Sequence, residues 1–415
     1  MHPADFCSRY MHTMDRTFYH KVIHEGMLTY SLPITRRIEL SKHRLSNKNY
    51  HIYETVIHIN GKICYIMGKK EEETGMKLGI AGAGMIVVQG LLEFVHDIEG
   101  IELIGICATK RSEEKLKKLS EEHGIAHTYT DYEEMLKLDD IDTVYVAINN
   151  HLHYEFSKKA ILAGKHVICE KPFTVHVDEL KELIALAKQH NVMLLEAITN
   201  QYYPNYLELK KQLGRVGDIH VVSCNYSQYS SRYDAFKRGE VLPAFNADMA
   251  GGALMDLNVY NVHFNAGLFG MPKDVQYFAN IEKRVDTSGI LILDYGSFKS
   301  VCIAAKDCAG PSQAVIEGEN GYLEVEGSAS VCSAVAYTYR DTKEEGRFNS
   351  HPDVHRMKFE FIEFERIVRE KDWKRVEEGQ QESLIVMEII TQAREKAGLQ
   401  LLSLDYYAIE KRGLT

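Results

Sequence analysis

The sequence predicts an α/β protein in which a doubly wound parallel sheet is followed by an α+β domain with a mainly antiparallel open sheet. Three observations carry this. From Met76 the chain runs as a short apolar strand, a Gly82-Ala83-Gly84 turn and a helix. Strands and helices then alternate to about Thr199, after which short strand-like runs are separated by turn residues. Alternation of the first kind feeds parallel strands through helical crossovers, whereas closely spaced runs pair back on themselves. With 415 residues and 45% apolar content the chain exceeds one ordinary core, so two domains are expected, over 76–199 and 200–415.

Each element has its own signal. Residues 77–81 are an apolar run, followed by the glycine turn and a helical stretch through Phe94. Residues 101–107 form the second strand, 112–122 a charged surface helix and 143–148 a buried strand. Asn150 is placed to cap a helix that ends at Gly164, a residue suited to a left-handed stop. Residues 166–169 form a strand that ends at Glu170-Lys171-Pro172. Leu180, Leu183, Ile184 and Ala187 recur at i, i+3, i+4 and i+7, the mark of an amphipathic helix, and 192–196 close the series. In the second half, 218–230 is a long strand and 249–268 a helix rich in small residues. Runs at 275–282, 287–295, 299–305, 313–318 and 321–326 build the antiparallel sheet. Two helices follow, the first striped by Met357, Phe361, Phe364 and Val368.

Residues 1–75 differ from all of this. They hold seven of the nineteen histidines, and eleven Lys and Arg against eight Asp and Glu give them a net of +3, which leaves −13 on the rest. Their periodicity is weak apart from strand-like runs at 53–59 and 62–67. Either they form a small accessory hairpin, or Met76 is the natural start and the upstream stretch is translated leader. The second is preferred, because Lys69-Lys70-Glu71-Glu72-Glu73 is what a purine-rich ribosome-binding sequence encodes in frame.

Composition excludes several classes of function. A net charge of −10 offers no broad positive face to a nucleic acid. No apolar run approaches the roughly 18 residues that span a bilayer, and the first thirty residues lack the apolar core of a secretory signal. The eight cysteines are scattered without a C-x-x-C pair, several of them inside apolar runs, which suits buried thiols in a reducing cytoplasm. His351 and His355 lack third and fourth ligands, so no metal site is expected.

The glycine turn is the first candidate site. In a dinucleotide fold, glycines at Gly82 and Gly84 permit a tight turn and close approach of a pyrophosphate. The helix N-terminus at Met85 and Ile86 then supplies N–H donors and a positive dipole. The third small position is Val87, a departure that should widen the strand–helix spacing slightly. At the end of the second strand an acid would hold a ribose 2′-hydroxyl. Here Thr109, Lys110 and Arg111 stand instead, and two cations suit a 2′-phosphate. NADP(H) is therefore favoured, with NAD(H) the alternative.

Three further motifs follow in order: Asn150-His151-Leu152-His153, then Ala163-Gly164-Lys165-His166-Val167-Ile168-Cys169-Glu170-Lys171-Pro172, then Gly251-Gly252-Ala253-Leu254-Met255-Asp256. With the glycine turn they make the chain resemble the glucose–fructose oxidoreductase / inositol dehydrogenase / MocA family from Met76 to about Asp405. The usual Thr-Pro before the asparagine is replaced here by Ile148-Asn149. The resemblance implies a Rossmann domain, then a domain whose open sheet often forms the contact in a homodimer or homotetramer. It also implies nicotinamide-dependent oxidation or reduction of a sugar, polyol or related alcohol. Asn149, Asn150 and His153 would belong to the cofactor loop, and Glu170 would anchor the ribose or the lysine.

Exchange of a hydroxyl proton needs a positioned acid or base. The resemblance puts a His or Tyr four residues after the helix aspartate, which here is Tyr260 after Asp256. Spacing i, i+4 places the two on one helical face. A free phenol titrates near ~10, and a cation beside it would lower that. Lys171 is therefore the expected partner that lowers Tyr260 and hydrogen-bonds the substrate oxygen. Asp256 would orient the substrate or Lys171, and Pro172 would fix the turn, a cis bond being one means. His263, three residues beyond Tyr260, is the rival base. Tyr229, Arg232, Asn246 and Asn261 are the candidate substrate contacts. Two other functions remain open: a nucleotide-sensing regulator without turnover, and a glycosidase using tightly held nicotinamide. Mass spectrometry of the native protein should find an N-terminal peptide beginning at Met76; one beginning at or near Met1 refutes the leader.

Overall fold

The computed structural model describes residues 75–399, Pro352 excepted, and before them five strands between Val22 and Lys69. Strands β1 (Val22–His24) and β2 (Met27–Thr29) form one antiparallel pair. β3 (Glu39–Asn47), β4 (Tyr50–Ile59) and β5 (Lys62–Lys69) form a separate three-stranded antiparallel sheet. The strand-like runs at 53–59 and 62–67 fall within β4 and β5. The Lys70–Glu73 stretch lies outside the described residues. Residues 1–74 form one compact unit and 75–415 another.

The second unit opens on a six-stranded parallel sheet. Its strands are β6 (Met76–Ala81), β7 (Ile101–Cys107), β8 (His127–Tyr129), β9 (Thr143–Val146), β10 (His166–Glu170) and β11 (Leu194–Ala197). Their order is β8-β7-β6-β9-β10-β11, so the winding reverses between β6 and β9, where doubly wound sheets bind ligands. Helices cover the sheet: α1 (Met85–Val88), α2 (Glu113–His123), α3 (Tyr132–Leu136), α4 (His153–Leu162) and α5 (Val177–His190). α5 runs as its apolar spacing requires, with Leu180, Leu183 and Ala187 buried. Glu179 closes its N-terminus by accepting from the Val175 and His176 N–H groups.

Two details depart from expectation. The helix after the glycine turn stops at Val88, and 3₁₀ turns at Leu91–Glu93 and Val95–Asp97 follow. Gly90 makes the break: a β-carbon there would collide with the Ile86 carbonyl, and Met357 packs close against it. Asn150 does not cap α4. Its Nδ2 donates to the Ala250 carbonyl, 2.9 Å away in the second domain.

The second domain is an eight-stranded sheet of order β13-β14-β15-β12-β16-β17-β18-β19. Its strands are β12 (Ile219–Ser227), β13 (Asp274–Glu282), β14 (Val285–Asp294), β15 (Lys299–Ala305), β16 (Gln313–Gly318), β17 (Gly321–Glu326), β18 (Ala334–Tyr339) and β19 (Glu344–Phe348). β12 and β15 pair in parallel and every other neighbour is antiparallel. β18 and β19 carry no clean alternation and went unforeseen. Around the sheet lie α6 (Pro204–Gln212), α7 (Tyr233–Lys237), α8 (Val259–Phe269), α9 (Lys358–Glu370) and α10 (Trp373–Lys396). The inner face of the sheet (Val222, Cys224, Leu291, Cys302, Ile316, Leu323) packs on Val259 and Val262 of α8 and on Ile389 and Ile390 of α10. α9 returns to the parallel sheet: Met357, Phe361 and Phe364 join one core with Met76, Leu78 and Ile80. The helix expected at 249–268 starts later, as a π-helical segment at Leu254–Asn258 that runs into α8.

Candidate active site

The glycine turn behaves as its residues require. Gly82 has φ +123°, and a β-carbon there would collide with the Ala147 carbonyl. Gly84 is different: its φ is −73°, and a β-carbon would meet nothing within 4 Å. Gly84 therefore leaves the N-terminus of α1 open to a phosphate-sized group, and Met85 beside it is exposed. Lys115 of α2 donates to the Ala83 carbonyl at 2.6 Å and braces the turn. Thr109, Lys110 and Arg111 stand exposed beyond the C-terminal end of β7, as an anchor for a 2′-phosphate must. These residues fit a dinucleotide. His153 is wholly buried, with Nδ1 2.8 Å from the Pro172 carbonyl and Nε2 3.2 Å from the Ile148 carbonyl. Burial pushes its imidazole down to about 4, so the ring is neutral with a single N–H, and the shorter approach, from Nδ1 to the Pro172 carbonyl, is the one that can be a hydrogen bond.

β10 delivers Glu170 and Lys171 one strand from the reversal, and the Lys171–Pro172 bond is cis. Glu170 accepts from the Tyr145 hydroxyl at 2.5 Å, and burial raises its carboxyl. The Lys171 ammonium crosses to the second domain. It donates to the Asp256 carbonyl at 3.0 Å, lies 3.3 Å from Asp256 Oδ1, and stands 4.8 Å from the centre of the Tyr260 ring. The helix that presents Asp256 and Tyr260 is fixed at its start. Asp286 Oδ2 accepts from the Leu254 N–H at 2.6 Å and from the Tyr277 hydroxyl at 2.7 Å. Gly252, at φ +113°, leaves room for that carboxylate. The expected pair therefore meets. Lys171 and Asp256 keep 13% and 34% of their side chains open to solvent, whereas Tyr260 is buried at 6% exposed.

The electrostatics correct one expectation. Burial raises the Tyr260 phenol, and Lys171 and Arg356 pull it down without reversing the sign, so it lies above its ordinary value. Burial acts to lower Lys171, but Tyr260, Asp256 and Glu170 outweigh it and leave the ammonium raised. Burial likewise acts to raise Asp256, yet Lys306 and Lys171 hold its carboxyl well below the usual range.

Two of these cations escaped the sequence reading. Lys306 follows β15 and donates to Asp256 Oδ2 at 2.7 Å. A lysine closing the apolar run Val301-Cys302-Ile303-Ala304-Ala305 was the available signal. Arg356 acts electrostatically on Tyr260, and its guanidinium reaches Thr199 Oγ1 at 3.4 Å. Its place just before the Met357 stripe gave no hint, because the approach is made by a distant part of the chain.

The remaining candidates divide. Asn261 is no substrate ligand. It is fully buried, and its Nδ2 donates to Asn258 Oδ1 and the Ile303 carbonyl, since one residue beyond Tyr260 the helix has turned towards the sheet. The Tyr229 hydroxyl donates to Asp234 at 2.8 Å and accepts from Lys237 at 2.9 Å. Arg232 sits at the start of α7, and Asn246 Oδ1 accepts from the Asp248 N–H at 2.9 Å. Tyr226, from the same tyrosine-rich strand, does approach Tyr260, at 6.1 Å between ring centres. His263 faces away from Lys171. Its nitrogens each lie 3.4 Å from a carboxylate, Glu196 on β11 and Glu382 on α10, and nothing of it is exposed.

The fold and the glycine turn are those of a dinucleotide-dependent oxidoreductase, with Lys171, Asp256 and Tyr260 meeting where the two sheets' elements adjoin. Residues 76–198 match the model of the Gfo/Idh/MocA oxidoreductase family with an NAD-binding Rossmann fold, and 208–324 match that family's C-terminal domain. The chain belongs to this family. It is 35% identical over 327 residues to the NADP⁺-dependent scyllo-inositol 2-dehydrogenase IolU of Bacillus subtilis, covering 78% of this chain and 98% of that protein. It is 29% identical to the trans-1,2-dihydrobenzene-1,2-diol dehydrogenase of Xenopus tropicalis, over 60% of this chain and 74% of that one. Among solved structures, the 3-ketoreductase KijD10 of Actinomadura kijaniata with NADP and TDP-benzene superposes with a TM-score of 0.67 at 21% identity, over 78% and 98% of the two chains. Levoglucosan dehydrogenase with NADH and levoglucosan gives 0.67 at 18%, over 78% and 97%.

The buried histidine predicts a pH dependence. Burial acts to lower His263, but Glu196 and Glu382 outweigh it and push the imidazole up to about 9. A raised value means that the ion pairs stabilise fully below the unfolded value of about 6.5, and that this is lost as pH rises through about 9. Thermal unfolding of the wild type should weaken over that window, and His263→Asn should flatten the decline. An unchanged slope in the variant refutes the assignment.

Proposed function

We propose that the chain is an NADP(H)-dependent oxidoreductase that moves a hydride between nicotinamide and the carbinol or carbonyl carbon of a sugar, polyol or dihydrodiol-type substrate. NAD(H) is the weaker alternative. The carrying observation is the Lys171 ammonium held between Asp256 and the Tyr260 ring. Support for the substrate class comes from the relatives, which act on inositol, dihydrodiols and levoglucosan. Lys110 and Arg111 favour the phosphorylated dinucleotide.

When bound on Gly82, Gly84, Met85 and Ile86, the dinucleotide supplies or accepts the hydride. The chain's residues handle the oxygen. Lys171 donates a hydrogen bond to the substrate oxygen and balances negative charge that develops on it. Tyr260 takes the hydroxyl proton in oxidation and returns it in reduction. Its raised value makes it a ready donor at neutral pH and a base mainly under alkaline conditions. Asp256 orients Lys171. Glu170, fixed by Tyr145, holds the turn from beneath.

The protein is further proposed to be cytoplasmic and to assemble through the outer face of the eight-stranded sheet. Phe278 and Ile290 are register partners there, 63% and 44% exposed, and Val221 and Tyr322 extend the apolar area. Sedimentation should show a dimer or tetramer that Phe278→Glu dissociates; a monomeric wild type refutes it.

A spectrophotometric screen of sugars, polyols and diols with NADPH/NADP⁺ and NADH/NAD⁺ tests the activity. Lys171→Ala should lower kcat by about 10²- to 10⁴-fold with dinucleotide binding retained. Tyr260→Phe should fall similarly. Full turnover in Lys171→Ala ends the mechanism, and tighter NADH than NADPH binding overturns the cofactor preference.

A further inference from the structure

Asp256 has two oxygens and two lysines. Oδ1 lies 3.3 Å from Lys171, whereas Oδ2 accepts from Lys306 at 2.7 Å. The shorter bond goes to the lysine that is 3% exposed and has no open route to substrate. Lys306 also donates to the Ala244 carbonyl at 2.5 Å and lies 4.7 Å from the centre of the Phe245 ring. Its own N–H is fixed on the Thr287 carbonyl at 2.8 Å, and its carbonyl accepts from the Ser230 N–H at 2.9 Å. One ammonium thus joins the end of β15, the turn at 243–245 and the π-helical segment bearing Asp256. The same turn leads to Ala250, whose carbonyl Asn150 holds from the cofactor side.

We propose that Lys306 is a positioning residue that divides the charge of Asp256 and thereby sets how far Lys171 is free for substrate and how readily Tyr260 ionises. This rests on the assignment of Lys171 and Tyr260 as the reacting pair. A lone Asp256 would place its full charge on Lys171, 3.3 Å away, and bind its hydrogens more tightly. With Lys306 taking Oδ2, Asp256 still aligns Lys171, chiefly through its backbone carbonyl, and hydrogens of the ammonium remain for the substrate oxygen. The sign follows. Removing Lys306 makes the surroundings more negative, which favours the ammonium of Lys171 and disfavours the phenolate of Tyr260, so both titrations move upward.

A structural pin alone would show only as stability, so the test reads two quantities that a pin would leave alone. The first is tyrosinate absorbance of the dinucleotide-free protein against pH, with Tyr260→Phe subtracted as the blank. The second is the pH profile of kcat in the oxidative direction. Lys306→Met should move both to higher pH and lower kcat by about 10- to 100-fold, with the dinucleotide affinity within about twofold of wild type. Lys306→Arg, which keeps charge and donors, should restore most of the rate and cover the case in which the methionine variant folds poorly. Adding Asp256→Asn to Lys306→Met should cancel the upward movement of the tyrosinate titration. A methionine variant with a lowered unfolding midpoint but a wild-type titration and kcat profile overturns the proposal. A wild type that turns over no alcohol with either nicotinamide sinks the oxidoreductase assignment instead, and the tyrosinate titration still decides the role of Lys306.

Discussion

The contact between Lys171 and Asp256 ties the two halves of the site into one. The lysine comes from the end of a parallel strand and the aspartate from a helix that belongs to another sheet. Taking an ammonium and a carboxylate partly out of water is unfavourable unless each is paired and hydrogen-bonded. Here the pairing is shared, since one carboxylate serves two lysines and a helix carbonyl takes up the remainder. Much nearby structure maintains this arrangement: Asp286 holds the helix start, Tyr145 holds Glu170, and His153 holds the turn around Pro172.

The phenol, rather than an imidazole, stands beside Lys171. His263 is three residues from Tyr260, but it lies in a wholly enclosed environment between Glu196 and Glu382. Glu196 also accepts from the Phe173 N–H at 3.1 Å, the first residue after the Lys171–Pro172 pair, and from Ser383 Oγ at 2.6 Å. The histidine therefore anchors the helix against β11 and α10, while Tyr260 lies beside Lys171. That division is a matter of which side of a helix faces which neighbour, and neighbours are a tertiary fact.

Much of the fold was legible because its signals are local. The glycine turn, the apolar spacing of α5, the strand runs of the second sheet and the Met357 stripe each state their structure within a few residues. The pairing of Lys171 with Tyr260 and Asp256 was legible through linked motifs. What escaped depends on parts of the chain far apart. Lys306 reaches Asp256 across fifty positions, and Arg356 reaches Tyr260 from the other end of the second domain. Asn150 looked like a cap because its neighbours suit one, yet its amide serves a carbonyl one hundred positions away. The phenol was expected to be lowered because the cation was foreseen and the burial was not.

The return of α9 to the parallel sheet has a consequence for biosynthesis. Met357, Phe361 and Phe364 fill the same core as Met76, Leu78 and Ile80, so the nucleotide half lacks part of its interior until almost the whole chain has left the ribosome. Until then the core around β6 is covered only by the elements of its own half, among them Val87, Leu91 and Leu116. The nucleotide half therefore completes its core only when α9 is in place.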